Sequence, residues 1–198
     1  MKKILVLALV VLMVVSATAC GSKDVDDTYS APTSITVYVE SGDTAVPVEV
    51  DVSNMSNPFV YNTLIIDLPK GFVADKQTSK DAGIVLAYKG SSTTSTDCYT
   101  FDDTGAKQSV KNLDKDEMTD SYKEQFEGFN KFDKFSQTKC SGFDALDIGF
   151  ERKIGDALIF QRQYYIFADN TTYVINYTTE KEKNLNEYEQ SLNSIIIK

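Results

Sequence analysis

A chain of 198 residues, 42% of them apolar, with eleven Tyr and eleven Phe against ten Gly and four Pro, can fill one hydrophobic core of ordinary domain size and is no low-complexity chain. Its formal charge of −9 opposes phosphate backbones and anionic headgroups, which excludes nucleic acid as a partner and requires any membrane attachment to be covalent or hydrophobic. There is no His, so imidazole bases, Ser-His-Asp and Cys-His nucleophiles and the usual catalytic zinc sites are excluded, and only carboxylate, Lys, Tyr or Ser chemistry survives.

Residues 1–19 have the layout of an export signal: Lys2 and Lys3, an apolar stretch over 4–15, then the small residues Ser16, Ala17, Thr18 and Ala19. A dozen apolar residues at 1.5 Å each span about 18 Å, short of the roughly 30 Å hydrocarbon core. Its removal with Lys2 and Lys3 leaves 18 cations against 29 acids, or −11. The run Ala17-Thr18-Ala19-Cys20-Gly21-Ser22 resembles the bacterial lipobox, with Ala17 where Leu is usual. The resemblance implies that Cys20 becomes the first mature residue and is diacylated, and two acyl chains suffice to hold a protein at a membrane. The expected location is the outer face of the bacterial cell membrane, lipid-anchored; the alternative is an ordinary secretory signal with a Cys at the cut. Residues 20–33, with Asp24, Asp26 and Asp27, lack apolar periodicity and form the lipidated Cys and a flexible tether with a reach of about 20 Å.

From residue 34 to 198 the chain reads as a single domain. Strict alternation of Ile35, Val37 and Val39, then of Val46, Val48, Val50 and Val52, predicts a hairpin, with Pro47 at a sheet edge or a strand start. Strands follow over 63–68, stopped by Pro69-Lys70-Gly71 with Phe72 returning to the core, then over 83–88 and 97–101, with a polar loop over 90–96 between the last two. Asp114 with Glu117 opens a helix whose apolar stripe is Met118, Tyr122, Phe126 and Phe129. Residues 132–138 and the segment carrying Leu146, Ile148 and Phe150 predict two more strands around a Ser141-Gly142 turn. The strongest signal is a hairpin over 157–179, with Leu158, Phe160, Tyr164 and Ile166 on one face and Tyr173, Ile175 and Tyr177 on the same side of its partner, joined through Asp169 and Asn170. Gln161, Gln163, Thr172, Asn176 and Thr178 fall on the other side, which reads as solvated or as a contact surface. Asn184 with Glu187 caps a last helix that buries Leu185, Tyr188 and Leu192.

Antiparallel strands with helices set between them predict an α+β domain, an antiparallel β-sheet with helices packed on its faces. Leu68-Pro69-Lys70-Gly71-Phe72 after a strand, the following helix, Gly142-Phe143-Asp144-Ala145 opening a strand, the hairpin over 164–178 and Ser191-Leu192-Asn193-Ser194-Ile195 resemble, in that order, the Mog1/PsbP-like fold over residues 63–198. The resemblance implies an α/β/α sandwich and a binding or assembly module; it carries over no catalytic residue, and the hairpin over 34–52 would be an added element.

Several residues invite a chemical role. Cys98 and Cys140 can form a disulfide, closing a loop of about 42 residues for roughly 4 kcal/mol, or stand as separate thiols. Arg162 falls on the apolar side of its strand near Tyr177, a buried cation that needs an aromatic or acidic partner for a structural role, with a ligand-facing anion site as the alternative. Tyr165 and Phe167, on the other parity, are either covered by a helix or exposed as a partner surface. Asp102-Asp103 and the acids over 114–117 lack calcium-loop spacing and read as solvated turns and helix starts. No catalytic residue, metal ligand or cofactor site is read. The expected role is non-enzymatic: a binding or accessory module for an envelope protein or complex, with the alternative of a carrier or sensor holding a small or lipidic ligand between sheet and helix. An aromatic-lined pocket would favour the carrier, an exposed patch at Tyr165 and Phe167 the accessory role, and two carboxylates facing each other in a cleft an enzyme.

Overall fold

The structure, a computed structural model, describes residues 32–41, 43–75, 85–89, 97–110 and 113–198. The export signal, Cys20, the tether as far as residue 31 and the loop over 90–96 lie outside the described residues. In chain order the elements are β1 (Ser34–Ser41), β2 (Thr44–Asp51), β3 (Pro58–Tyr61), β4 (Leu64–Asp67), β5 (Phe72–Asp75), β6 (Val85–Lys89), β7 (Cys98–Asp103), α1 (Lys115–Gln125), β8 (Phe129–Cys140), β9 (Phe143–Ile154), β10 (Ala157–Phe167), β11 (Thr172–Thr179), α2 (Leu185–Leu192) and β12 (Ile196–Ile197).

All strand pairing is antiparallel. A seven-stranded sheet runs in the order β5-β6-β7-β11-β10-β9-β8, a three-stranded sheet in the order β12-β4-β3, and β1 and β2 stand as a two-stranded sheet of their own. The protein is mainly β with two short helices, so the expected sandwich of sheet between helical layers holds only in a reduced form: α1 covers one face, and α2 shares the other with the three-stranded sheet.

The hairpin β10–β11 sits at the middle of the large sheet, and its register pairs Tyr164 with Ile175 and Ile166 with Tyr173. These side chains, with Tyr177, Tyr99 and Phe101, form one core against Leu64, Ile66 and Leu68 and against Tyr188 of α2. Phe167 pairs with Thr172, so the connection is the four-residue version of the expected turn. Leu158 departs from the pattern: near the open end of β10 it is 45% exposed.

The opposite face is not solvated. Gln161, Gln163, Thr172 and Asn176 are all buried, because this side of the sheet carries a second core of Leu146, Ile148, Phe150, Tyr165, Phe167 and Val174, closed by Tyr122 and Phe126. Polar residues survive there by bonding one another: Asn176 Nδ2 donates to Thr100 Oγ1 at 2.9 Å, Gln161 Nε2 to Thr178 Oγ1 at 3.3 Å, and the Tyr122 hydroxyl donates to Gln163 Oε1. Asp114 caps α1 as expected, its Oδ1 accepting from the Asp116 and Glu117 amides at 2.9 and 3.1 Å. The helix ends earlier than its apolar stripe, with Phe126 as its C-cap and Phe129 already in β8, yet all four stripe residues reach the same core.

The chain can turn from α1 into β8 because of Gly128. Its φ is +75°, and a Cβ there would lie 2.2 Å from the Lys153 carbonyl oxygen. On the far side, β4 is buried on both faces: Leu64 and Ile66 enter the main core while Ile65 packs on Val37, Val50, Val52 and Met55 of the amino-terminal hairpin region. Pro47 sits within β2, which is tolerated because each strand of a two-stranded sheet has a free edge. β3 and β5, which the sequence pattern did not signal, are strands of four residues.

Gly128→Ala combines a left-handed backbone with a backbone clash and is expected to cost at least about 2 kcal/mol, measured by urea denaturation. Phe150→Ala, which removes a fully buried ring, is expected to cost about 3 to 5 kcal/mol on the same assay.

Candidate functional site

A groove of about 460 Å³ opens on the α2 side of the sheet, between β8–β9 and the carboxyl-terminal end of α2. Its origin lies in one parity of β8. Lys134, Ser136, Thr138 and Cys140 project on this side; three of the four are polar, so the apolar core stops before it reaches the sheet edge. Glu189, Leu192 and Asn193 supply the opposite wall, and Asp147 and Tyr164 lie deeper.

Asp147 sits on β9 between Leu146 and Ile148, and its side chain is 10% exposed. Lys134 Nζ lies 2.7 Å from Asp147 Oδ2 and 3.0 Å from Glu189 Oε1, so one ammonium bridges two carboxylates. Asp147 Oδ1 is buried without a hydrogen-bond partner. The partners do not gain equally. Desolvation acts against the Lys134 charge, but hydrogen bonds to Asp147 and Glu189 outweigh it and hold the ammonium protonated. The Asp147 carboxyl loses more to desolvation than Lys134 and Arg162 return, and its pKa is raised.

Arg162 lies beside this triad. A β-bulge in β8 leaves Asp133 without a partner in the ladder and turns it to the groove side, where Asp133 Oδ1 and Oδ2 each accept from Arg162 Nη1 at 3.1 Å. Arg162 also donates to the Gln161 carbonyl at 3.0 Å. The guanidinium crosses Gly149, where a Cβ would lie 2.5 Å from Nη1. Tyr177 is the register partner of Arg162 on β11, but its ring stacks on Tyr188 instead, at 5.3 Å and 9°. The expected buried cation is therefore answered by an acid, Asp133, and not by Tyr177.

The other candidate residues separate. Tyr165 and Phe167 are 5% and 6% exposed beneath α1, so they offer no partner surface; the Tyr165 hydroxyl donates to Gln163 Oε1 at 3.0 Å. Cys98 and Cys140 are free thiols on β7 and β8, four strand spacings apart in the sheet, about 19 Å against the roughly 4.4 to 6.8 Å Cα separation of a disulfide. Cys140 lines the groove, and burial pushes its thiol up to about 11. Asp103 is spent on structure, accepting from Tyr61, Asn62, Thr171 and the Gly105 amide. Asn184 does not cap α2 with its side chain; its Nδ2 donates to both oxygens of Asp97 at 3.1 and 3.0 Å, tying the start of α2 to the start of β7. Among the described residues no cluster of three or more Cys, Asp and Glu side chains is arranged to hold a metal, and no helix is long and apolar enough to cross a membrane.

Asp147 is the site residue that the sequence signals least. Its signal is an acid between two core residues on a strand whose neighbour carries Lys, Ser and Thr in alternation, and reading it requires the β8–β9 register.

No protein-family model and no curated protein sequence matches the chain. Solved structures do resemble it. A Bacteroides thetaiotaomicron protein is 12% identical with a TM-score of 0.50, over 72% of this chain and 48% of its own, so the chain spans about half the length of that protein. PA94, a Pseudomonas aeruginosa protein of unknown function, is 11% identical over 82% of this chain and 97% of its own, with a TM-score of 0.44. LpqN of Mycobacterium tuberculosis, involved in cell envelope biogenesis, is 14% identical over 84% of this chain and 92% of its own, with a TM-score of 0.46. At such identities the likeness to the Bacteroides protein concerns the fold alone.

A carboxyl whose pKa is raised on folding burdens the native state while ionised. The penalty is complete above the folded pKa and vanishes below the unfolded value of about 3.8. Asp147→Asn is therefore expected to raise the urea midpoint at pH 7, with an advantage that shrinks toward pH 4, while Lys134 keeps Glu189 as a partner.

Proposed function

We propose that this chain is a binding module of the bacterial cell exterior, held to the outer face of the membrane by lipid on Cys20 and working without catalysis, with the groove beside α2 as its ligand site. The order of motifs over residues 63–198 supports placing its domain among Mog1/PsbP-like folds, and the run around Cys20 supports the anchor. The accessory role is retained in this form: the module serves an envelope protein or complex through what the groove holds, since Tyr165 and Phe167 are occupied inside the core.

One observation carries the reading. Among the buried side-chain polar atoms that lack a hydrogen-bond partner in the described residues, Asp147 Oδ1 is the one whose residue lines the groove, and burial raises the pKa of that carboxyl. The groove differs from the aromatic pocket expected of a lipid carrier, because Tyr164 is the sole aromatic among its lining residues. Two carboxylates do face the cleft, but Lys134 stands between them and bonds to both, which occupies the pair that hydrolytic chemistry would need.

Two measurements test the proposal. Mass spectrometry of membrane-extracted protein is expected to find a diacylglyceryl modification on Cys20, and Cys20→Ser to move the protein into the soluble fraction; an unmodified native Cys20 removes the anchor. Ser136→Trp, which plugs the groove from an exposed strand position, is expected to keep the wild-type circular dichroism spectrum and membrane location and to reproduce the envelope-stress sensitivity of a deletion strain. Wild-type behaviour of that variant, under a stress to which the deletion strain is sensitive, would show that the groove is not the working site.

A further inference from the structure

The floor of the groove sets a buried acceptor that lacks a partner beside a donor with a proton to spare. Asp147 Oδ1 has no hydrogen-bond partner. The Lys134 ammonium carries three protons; Asp147 Oδ2 and Glu189 Oε1 take two, and no third acceptor is found among the described residues. A group that meets both needs must accept and donate at once. A hydroxyl does this. An ammonium ligand can only donate and would sit beside the like charge of Lys134, whereas a carboxylate or phosphate can only accept and would face Asp147 and Glu189.

The walls point the same way. Lys134 and Lys139 equal Asp147 and Glu189 in number, and with Asp144, the partner of Lys139, the groups carry one net negative charge, which disfavours an anion. Lys139 is itself paired with Asp144 at 2.6 Å. Ser136, Thr138 and Asn193 line the groove, and their side chains have no hydrogen-bond partner among the described residues, so they add neutral groups that both donate and accept. Tyr164 and Leu192 provide apolar surface for the carbon face of a ring. The volume lies within the roughly 300 to 1,000 Å³ of small-molecule sites.

We infer that the groove binds a neutral polyhydroxylated ligand, a saccharide, with one hydroxyl donating to Asp147 Oδ1 and accepting from Lys134 Nζ. This rests on the reading of the groove as the ligand site and names what enters it. A water molecule could make the same pair of bonds, so the experiment must separate a sugar from solvent.

The intact protein, labelled with nitrogen-15, is titrated with maltose and with N,N′-diacetylchitobiose as neutral probes, and with glucosamine and glucuronate as cationic and anionic ones. Saturable shifts are expected for a neutral probe at the amides of Ser136, Thr138, Asp147 and Asn193, with weaker binding of both charged sugars. Asp147→Asn and Lys134→Met are each expected to weaken that binding about tenfold or more, the worth of a hydrogen bond to a charged group. Lys123→Met, on the exposed side of α1, is expected to leave it unchanged. Denaturation midpoints of the three variants show that they are folded, so loss of binding is not loss of structure. The inference is overturned if neither neutral sugar shifts these amides, if a charged sugar binds more tightly, or if Asp147→Asn and Lys134→Met bind like wild type. Should the sugars fail while Ser136→Trp still reproduces the deletion phenotype, the groove stands as the site and only the saccharide assignment falls.

Discussion

The groove exists where α2 leaves it room, and α2 is placed by Tyr188. That side chain is completely buried, stacked on Tyr177 and 6.0 Å from the Tyr99 ring, so the helix is pinned to β11 and β7 through three aromatic rings. Asn184 and Asp97 fix its amino-terminal end through a buried hydrogen-bonded pair, and Ser194 fixes its other end by accepting from the Asp67 amide at 2.8 Å. With both ends held, an eight-residue helix cannot slide toward β8. The surface left uncovered is the polar parity of β8 and the carboxyl group of Asp147.

Both faces of the sheet bury polar groups. Beneath α1, Gln163 is answered by two tyrosine hydroxyls and Asn176 Nδ2 by Thr100, while Gln161 Oε1 and Asn176 Oδ1 have no partner among the described residues. Beneath α2, Asp133 answers Arg162 across a glycine, and Lys134 answers Asp147 on one oxygen only. The first set contributes to a unique core. The second leaves a buried carboxylate oxygen and an ammonium proton without partners beside the wall hydroxyls, in a triad of Asp147, Lys134 and Glu189 that carries one net negative charge. A buried ion pair seldom adds stability beyond what an apolar replacement would give, which is consistent with the ligand role proposed for the groove.

How much of this is legible in the sequence varies with the range of the contact. The hairpin of β10 and β11, the cap at Asp114, the Ser141-Gly142 turn and the buried stripe of α2 depend on residues close in sequence, and the alternation and cap residues show them directly. In the turn, Ser141 and Gly142 take φ of 49° and 88°, as a two-residue connection between paired strands requires. β3 and β5 escape a sequence reading because strands of four residues leave too short a pattern. The outward face assigned to Gln161, Gln163 and Asn176 fails for a different reason: polarity signals solvent only when nothing packs above, and α1, distant in sequence, does.

By itself the sequence determined the antiparallel class, the central hairpin with its inner face, the acidic charge that opposes nucleic acid, and the lack of imidazole chemistry, because each follows from composition or from local periodicity. Only the tertiary structure decided that Tyr165 and Phe167 are core, that Cys98 and Cys140 lie too far apart to bond, that Arg162 meets Asp133, and that Asp147, Lys134 and Glu189 share one groove. Those facts turn on strand order, on a bulge in β8 and on the position of α2. Each is set by contacts between residues far apart in the chain, and spacing along the sequence carries no record of them.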